Sequence, residues 1–199
     1  MASTGLPLDG VRIIDQTLAW AGPFGTQILA DWGAEVIRVE PIQFMQRVTR
    51  VPSIKPFKRG TSNWTNAYPD AIPGERHWNR NVMFQCHGRN KLSITSDIPD
   101  PDCMETYMRL VAISDVVMEN NVPQTYDKIG VSYEVLRETR PDIILVRLPA
   151  YGLRGPYTSY RAMGPQMESP AGHTWIRGYR DGPVTDSGTT YLADAVGGV

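Results

Sequence analysis

Between Gly10 and Glu40 the hydrophobic pattern changes period twice. Val11-Arg12-Ile13-Ile14-Asp15 is a short apolar run. Phe24, Ile28 and Trp32 then recur at steps of four, with Leu29 beside them. Ala34-Glu35-Val36-Ile37-Arg38-Val39-Glu40 is strand-like again. The pattern predicts strand, turn, helix, strand. Pro23 suits a first helical turn and Gly33 the residue past a helix end, so the helix is expected over Pro23 to Trp32, with Phe24, Ile28 and Trp32 on its apolar face.

From Pro41 to about Asn81 this periodicity fails, and Pro52, Pro56, Gly60, Pro69, Pro73 and Gly74 punctuate the tract. A long irregular excursion inside a domain tends to be functional. Regular patterning returns at Lys91-Leu92-Ser93-Ile94-Thr95, an alternating strand. Asp100 to Ile113 reads as a helix with Cys103, Tyr107, Leu110 and Val111 on one face. Asp115 to Glu119 reads as a strand, and Tyr126 to Arg140 as a helix in two pieces, broken near Gly130 with Ser132 as an N-cap. Asp142 to Leu148 is the clearest strand. Strands alternating with helices predict an α/β fold with a parallel, doubly wound sheet. The Gly/Pro/Tyr-rich stretch from Tyr151 to Gly164 is expected to leave that sheet. Tyr191 to Val199 opens a helix and stops without a cap, as expected of a fragment or of half of a split protein.

In such a sheet, ligands dock beside the carboxyl ends of the strands, and a helix start there offers free N–H groups to an anion. Thr17-Leu18-Ala19-Trp20-Ala21-Gly22-Pro23 occupies that position. It lacks the glycine fingerprint of a dinucleotide fold and that of a P-loop. A nucleotide-contacting turn and an ordinary strand-to-helix turn therefore both fit it. Glu40, at the end of the second strand, mimics a ribose-binding acid but without those glycines.

Charge changes the picture more than composition does. The net charge is −1, which argues against a generic nucleic-acid binder. The tract from Pro41 to Lys91, however, holds nine Lys or Arg against two acids. Gathered cations concentrate anions, although any single one reads first as a solvated loop residue. Gly88-Arg89-Asn90-Lys91 leads straight into a strand, and fits anion contact or dimer contact. Glu119-Asn120-Asn121 falls at the end of another strand, in the expected crevice, where Asn is also a common turn former. Lys128 follows closely and could carry phosphate. Asp194, between Ala193 and Ala195 with Gly197-Gly198 beyond, reads either as an exposed first-turn acid or as a carboxylate open to a bulky substrate.

Other chemistries find no footing. His77, His87 and His173 show no metal spacing and there is no G-x-S-x-G, so zinc enzyme and serine hydrolase are poor readings and no metal is expected. Cys86 and Cys103 sit in sequence that looks buried, and two cysteines predict free thiols rather than a disulfide scaffold. No apolar run approaches a membrane span, and Met1 to Gly5 lacks signal-peptide features, so a cytoplasmic protein with no membrane or nucleic-acid partner is expected.

Leu8-Asp9-Gly10-Val11-Arg12, Ala21-Gly22-Pro23, Leu29 to Pro41, Arg89-Asn90-Lys91-Leu92-Ser93, Ser114 to Asn120, Tyr151 to Tyr157 and Asp181-Gly182-Pro183 follow one another in the order and spacing of a known family. In these blocks, which span nearly the whole chain, the sequence resembles the class III CoA-transferases, the group of carnitine CoA-transferase, formyl-CoA transferase and bile-acid-inducible protein F. The resemblance implies a Rossmann-like parallel sheet with flanking helices, as the N-terminal part of an interlocked subunit. Residues 1–150 would be the CoA-binding large domain. Residues 151–199 would be a linker and the start of the segment carrying the catalytic aspartate. It implies coenzyme A, as acyl-CoA, and a small carboxylic acid as partners, in an interlocked homodimer or a heteromer with a related subunit.

Carried over by position, the resemblance implies Asp194 as the catalytic nucleophile. Its carboxylate would attack the acyl-CoA thioester to give a mixed anhydride, then an aspartyl-CoA thioester. Leu18, Ala19, Trp20 and Ala21 would line the adenine and pantetheine path. Asn120 and Asn121 would lie beside CoA, and Lys128 and Arg161 at basic CoA positions. Two departures stand out. Gly164 replaces a family carboxylate, for which Glu168 one turn later is a candidate substitute. Met163 replaces the histidine of the related acyl-CoA racemases and cannot move a proton, which favours transferase over racemase. A non-catalytic CoA-binding or scaffold subunit is the alternative, and an NAD-dependent Rossmann enzyme a third reading that the missing glycines oppose.

Overall fold

A computed structural model describes residues 5–44, 49–50, 68–69, 72–183 and 192–199. Five strands, β1 (Arg12–Asp15), β2 (Glu35–Glu40), β3 (Lys91–Thr95), β4 (Val116–Glu119) and β5 (Ile144–Arg147), form one parallel sheet of spatial order β3-β2-β1-β4-β5. Each of the expected strands is present, trimmed by up to two residues at its ends. β1 pairs with β2 on one side (Ile13 opposite Val36) and with β4 on the other (Ile13 opposite Val116). The strand order reverses between β1 and β4, so their carboxyl ends flank a topological switch point, where open α/β sheets bind ligands.

Alternation along the strands divides the core in two. Ile14, Val39 and Val117 face a cluster with Tyr107, Val111, Tyr126, Val131 and Leu136. Ile13, Val36 and Met118 face the other layer, with Ala30 and Ala34. Each fully buried aliphatic side chain contributes about 1.5–3 kcal/mol of burial free energy. The first layer is built by α4 (Pro101–Val111), α5 (Pro123–Lys128) and α6 (Tyr133–Thr139). Asp100 caps α4, its carboxylate accepting the N–H groups of Asp102 and Cys103 at 3.1 Å each. Ser132 caps α6 through Val135 N–H, as its position predicts.

The second layer is α1 (Ala21–Asp31), and here the expected face is wrong. Trp32 is 54% exposed, and the buried positions are Gly22, Pro23, Gly25, Thr26, Gln27 and Ala30. Small residues rather than large apolar ones face inward, because this helix is clasped between the sheet and α9 (Leu192–Gly198). A Cβ placed on Gly25 would lie 2.4 Å from the carbonyl oxygen of Gly198. Within the tract expected to be irregular, α2 (His77–Arg80) is helical, and α3 (Val82–Gly88) follows it directly. Asn81 Oδ1 caps α3 by accepting Met83 N–H at 2.8 Å. Positions 45–48, 51–67 and 70–71 of that tract, with Arg47, Lys55, Lys58 and Arg59, lie outside the described residues. The two cysteines are free, as expected, but Cys86 is exposed and Cys103 half-buried, against the expectation that both are buried. Beyond Pro149 the described chain leaves the sheet, through α7 (Gly164–Glu168) and α8 (His173–Ile176) to α9.

Candidate functional site

The turn after β1 is held in place by the residue that follows β4. Leu18 N–H donates to Asn120 Oδ1 at 2.6 Å, and Asn120 Nδ2 donates back to the Leu18 carbonyl at 2.7 Å. Asn120 thus extends the β1–β4 pairing by one side-chain rung. Ala19 follows with φ 61°, a left-handed conformation that a residue with a Cβ rarely adopts. A Cβ on Gly22 would fall 2.3 Å from Thr17 Cβ, so only glycine lets α1 start this close to the strand end. Glu119, fully buried, anchors the other lip of the switch point. It accepts from Arg147 Nε at 2.7 Å and from Asn121 N–H at 2.6 Å.

Beneath the turn lies a buried ionic network on the α1 face of the sheet. Lys91 Nζ donates to Asp15 Oδ2 at 2.9 Å, to the Pro23 carbonyl at 2.9 Å and to Thr26 Oγ1 at 2.6 Å. Three acceptors match the three N–H bonds of an ammonium, so the pair is read as ionised, even though burial pulls the Lys91 ammonium down against the Asp15 charge that supports it. Burial works to raise the Asp15 carboxyl, but Lys91, Arg38 and the Thr17 hydroxyl overcome it and hold the group below its ordinary range. Arg38 pairs with Asp15 at 3.5 Å, bonds Glu40, and donates to the Thr17 carbonyl at 3.3 Å. Arg50 reaches Glu40 from the other side, bonds Asn79 Oδ1 at 2.8 Å and lies 3.4 Å over the Phe84 ring. Arg89 is paired with Asp31 at 2.6 Å. Lys91 and Arg50 are therefore committed within the chain, Arg89 is paired but exposed, and Arg50, only 8% exposed, is not a solvated loop residue. Glu40 is likewise pinned between two arginines.

Asp194 meets this turn from the far end of the chain. It lies in the first turn of α9, half-buried, with its carboxyl group near the backbone N–H of Ala21, the first residue of α1. Burial raises its carboxyl above the ordinary aspartate value, the Ala21 N–H opposes that, and the charge of Glu168 adds to it. α9 can approach so closely because Gly198 and Gly25 meet backbone to backbone. Gly198 thus serves helix contact rather than leaving room for a ligand.

A cleft of about 880 Å³ opens at the carboxyl ends of the strands, a size typical of small-molecule sites. Its walls include Gln16 and Leu18 after β1, Glu40 on β2, Thr95 on β3, Ser96 after it and Asn121 after β4. Leu18 and Asn121, both expected beside CoA, are thus wall residues of this cleft. Ala19, Trp20 and Ala21 carry the same turn from the cleft to Asp194. Asn120 spends both ends of its amide on Leu18. Lys128 is exposed on α5, next to Ile129 of the cleft wall, and Arg161 is exposed on the stretch before α7. Sequence reasoning missed the Lys91–Asp15–Thr26 cluster. The only hint was a lysine that opens a strand beside an aspartate that closes one. Among the described residues no His, Cys, Asp or Glu cluster is arranged to hold a metal, and no helix is long and apolar enough to cross a membrane.

This architecture has relatives of known class. The acetyl-CoA:oxalate CoA-transferase of Acetobacter aceti is 31% identical over 193 residues, covering 97% of this chain and 44% of its own length. The beta subunit of succinyl-CoA–L-malate CoA-transferase from Chloroflexus aurantiacus is 30% identical over 198 residues, 99% of this chain and 44% of its own. A crystal structure of a CAIB/BAIF family protein from Brucella suis matches with a TM-score of 0.77 at 30% identity, over 95% of this chain and 45% of that one. The chain spans less than half the length of these relatives. The family model described as CoA-transferase family III matches residues 8–199, and the chain belongs to that family.

Proposed function

We propose that this chain supplies the CoA cleft and the nucleophile of an enzyme that moves CoA between an acyl-CoA and a carboxylic acid. The observation that carries the reading is the close packing of α9, with Asp194 in its first turn, on the start of α1 at Ala21, three residues along the turn from Leu18 in the cleft wall. An acyl-CoA whose nucleotide end lies in the cleft would run along Leu18 to Ala21 and present its thioester to Asp194. The cleft's mixed apolar and polar walls suit such a ligand. In this reading residues 1–150 bind CoA, and residues 151–199 return the aspartate to the turn. The assembly would be two interlocked copies or two related subunits, in the cytoplasm. The subunit name of the Chloroflexus relative supports the heteromer.

The chemistry follows from the carboxylate. An Asp194 oxygen attacks the thioester carbonyl, the C–S bond breaks, and CoA thiolate leaves as a mixed anhydride forms. The thiolate attacks the aspartyl carbonyl, releases the first acid and leaves an aspartyl-CoA thioester. The second acid repeats the two steps in reverse order and restores Asp194. Burial favours this twice: a poorly solvated carboxylate is a better nucleophile, and an anhydride kept from water is not hydrolysed. Met163, at the position where related racemases carry their histidine, offers no proton relay and supports transfer over racemisation.

The test is exchange and trapping. Asp194→Ala is expected to abolish CoA exchange and hydroxylamine-trappable acyl-enzyme while leaving CoA affinity within about threefold, since only a transition-state contact is removed. Full exchange by this variant would remove the mechanism. Absence of any trappable acyl-enzyme in the parent protein would favour a non-catalytic CoA-binding subunit.

A further inference from the structure

The carboxylate of Glu168 lies where α7, α8 and α9 meet. It is 3% exposed and sits at the end of α7. Its Oε1 accepts the N–H of Ala193, the residue before Asp194, at 2.9 Å. Its Oε2 accepts from Arg177 Nη1 at 2.7 Å and lies 3.2 Å from His173 Nδ1. One side chain therefore ties α7, α8 and the residue after α8 to the first turn of α9. A first-turn N–H has no partner within its own helix, and an ionised acceptor forms a short, strong bond to it. The bond fixes the Leu192–Ala193 peptide, one residue before the Cα that carries the Asp194 side chain.

We propose that Glu168 is a positioning residue for Asp194, fixing the first turn of α9 one residue before it so that the carboxylate is held beside Ala21 N–H. The proposal rests on the reading of Asp194 as nucleophile. Glu168 itself touches no reacting atom. Its second oxygen, bound by Arg177 and His173, stops the carboxylate from swinging out of the Ala193 bond.

Single-turnover acyl-enzyme formation in the intact protein separates positioning from simple stabilisation. The rate constant reports geometry at competent sites, and the amplitude reports how many sites are competent. Glu168→Ala is expected to lower the rate constant about 10–100-fold, the scale of an ångström-sized misplacement, with the acyl-CoA affinity little changed. Glu168→Gln is expected to recover most of the loss, because its carbonyl accepts the same N–H with about half the strength of an ionised acceptor. A loss of amplitude with an unchanged rate constant in Glu168→Ala would overturn the proposal, as would a Gln variant as slow as the Ala variant. An Asp194→Ala protein that still forms acyl-enzyme would instead remove the nucleophile reading, so the two failures are distinguishable.

Discussion

Asn120 holds Leu18 by both ends of its backbone, accepting the N–H and donating to the carbonyl at 2.6 and 2.7 Å. The side chain thereby replaces a missing strand residue at the switch point. It also fixes the start of a turn whose next residue, Ala19, is left-handed. Asn120→Ala leaves two half-buried backbone groups without that partner, a cost of about 1–3 kcal/mol. The expected outcome is a lowered melting temperature together with CoA affinity weakened about tenfold, as ordering the turn becomes part of binding. Isothermal titration with CoA reads this directly. Unchanged affinity would mean that the turn keeps its shape without the clamp.

Lys91 presents a different case, because removing it leaves a charge behind. Lys91→Met retains the stem but deprives buried Asp15 of its ammonium, with Arg38 at 3.5 Å as the remaining cation. Breaking a buried pair from one side costs about 3–5 kcal/mol, and chemical denaturation should show it. The pH dependence has a definite sign. Asp15 has its folded carboxyl held below the unfolded value, so its contribution is present above the unfolded pKa and is lost as pH falls through the folded one. In Lys91→Met burial gains the upper hand and the folded value rises. Acidification should therefore cost the variant less stability than it costs the parent. A variant and parent with parallel stability–pH curves would show that Lys91 does not control Asp15.

How much of this was legible in the sequence depends on the range of the interaction. The apolar runs holding Ile13-Ile14 and Val117-Met118 predicted strands of a doubly wound sheet, and the two core clusters use the two faces of those strands in turn. Asp100 and Ser132 predicted their helix starts because a cap is settled within three residues. Hydrophobic periodicity failed on α1 because Gly22, Gly25 and Ala30 are buried for their small size, and the partner that selects small residues is almost the whole chain away. Lys91 failed for a related reason. A lysine at a strand start reads as exposed until Asp15, Pro23 and Thr26 are known to surround it. Asp194 was singled out by resemblance, but its contact with Ala21 is set by tertiary packing that no local pattern encodes.

Gly197 and Gly198 carry that packing unequally. A Cβ on Gly198 would stand 2.3 Å from the Ala21 carbonyl oxygen and 3.1 Å from Gly25 N, both backbone atoms that cannot swing aside. A Cβ on Gly197 would meet only the Ala21 Cβ, at 3.9 Å, an ordinary contact. Gly198→Ala should therefore lift α9 from α1 and draw Asp194 away from Ala21 N–H. The rate of acyl-enzyme formation is then expected to fall about 100-fold, while CoA binding, which depends on the far end of the turn, is retained. Gly197→Ala should leave the rate unchanged and add about 0.4–1 kcal/mol of stability by restricting the unfolded chain. The pair of variants is its own control, since both make the same chemical change in adjacent residues of one helix. Equal effects of the two substitutions on the rate would show that the backbone contact between α9 and α1 does not set the position of the carboxylate.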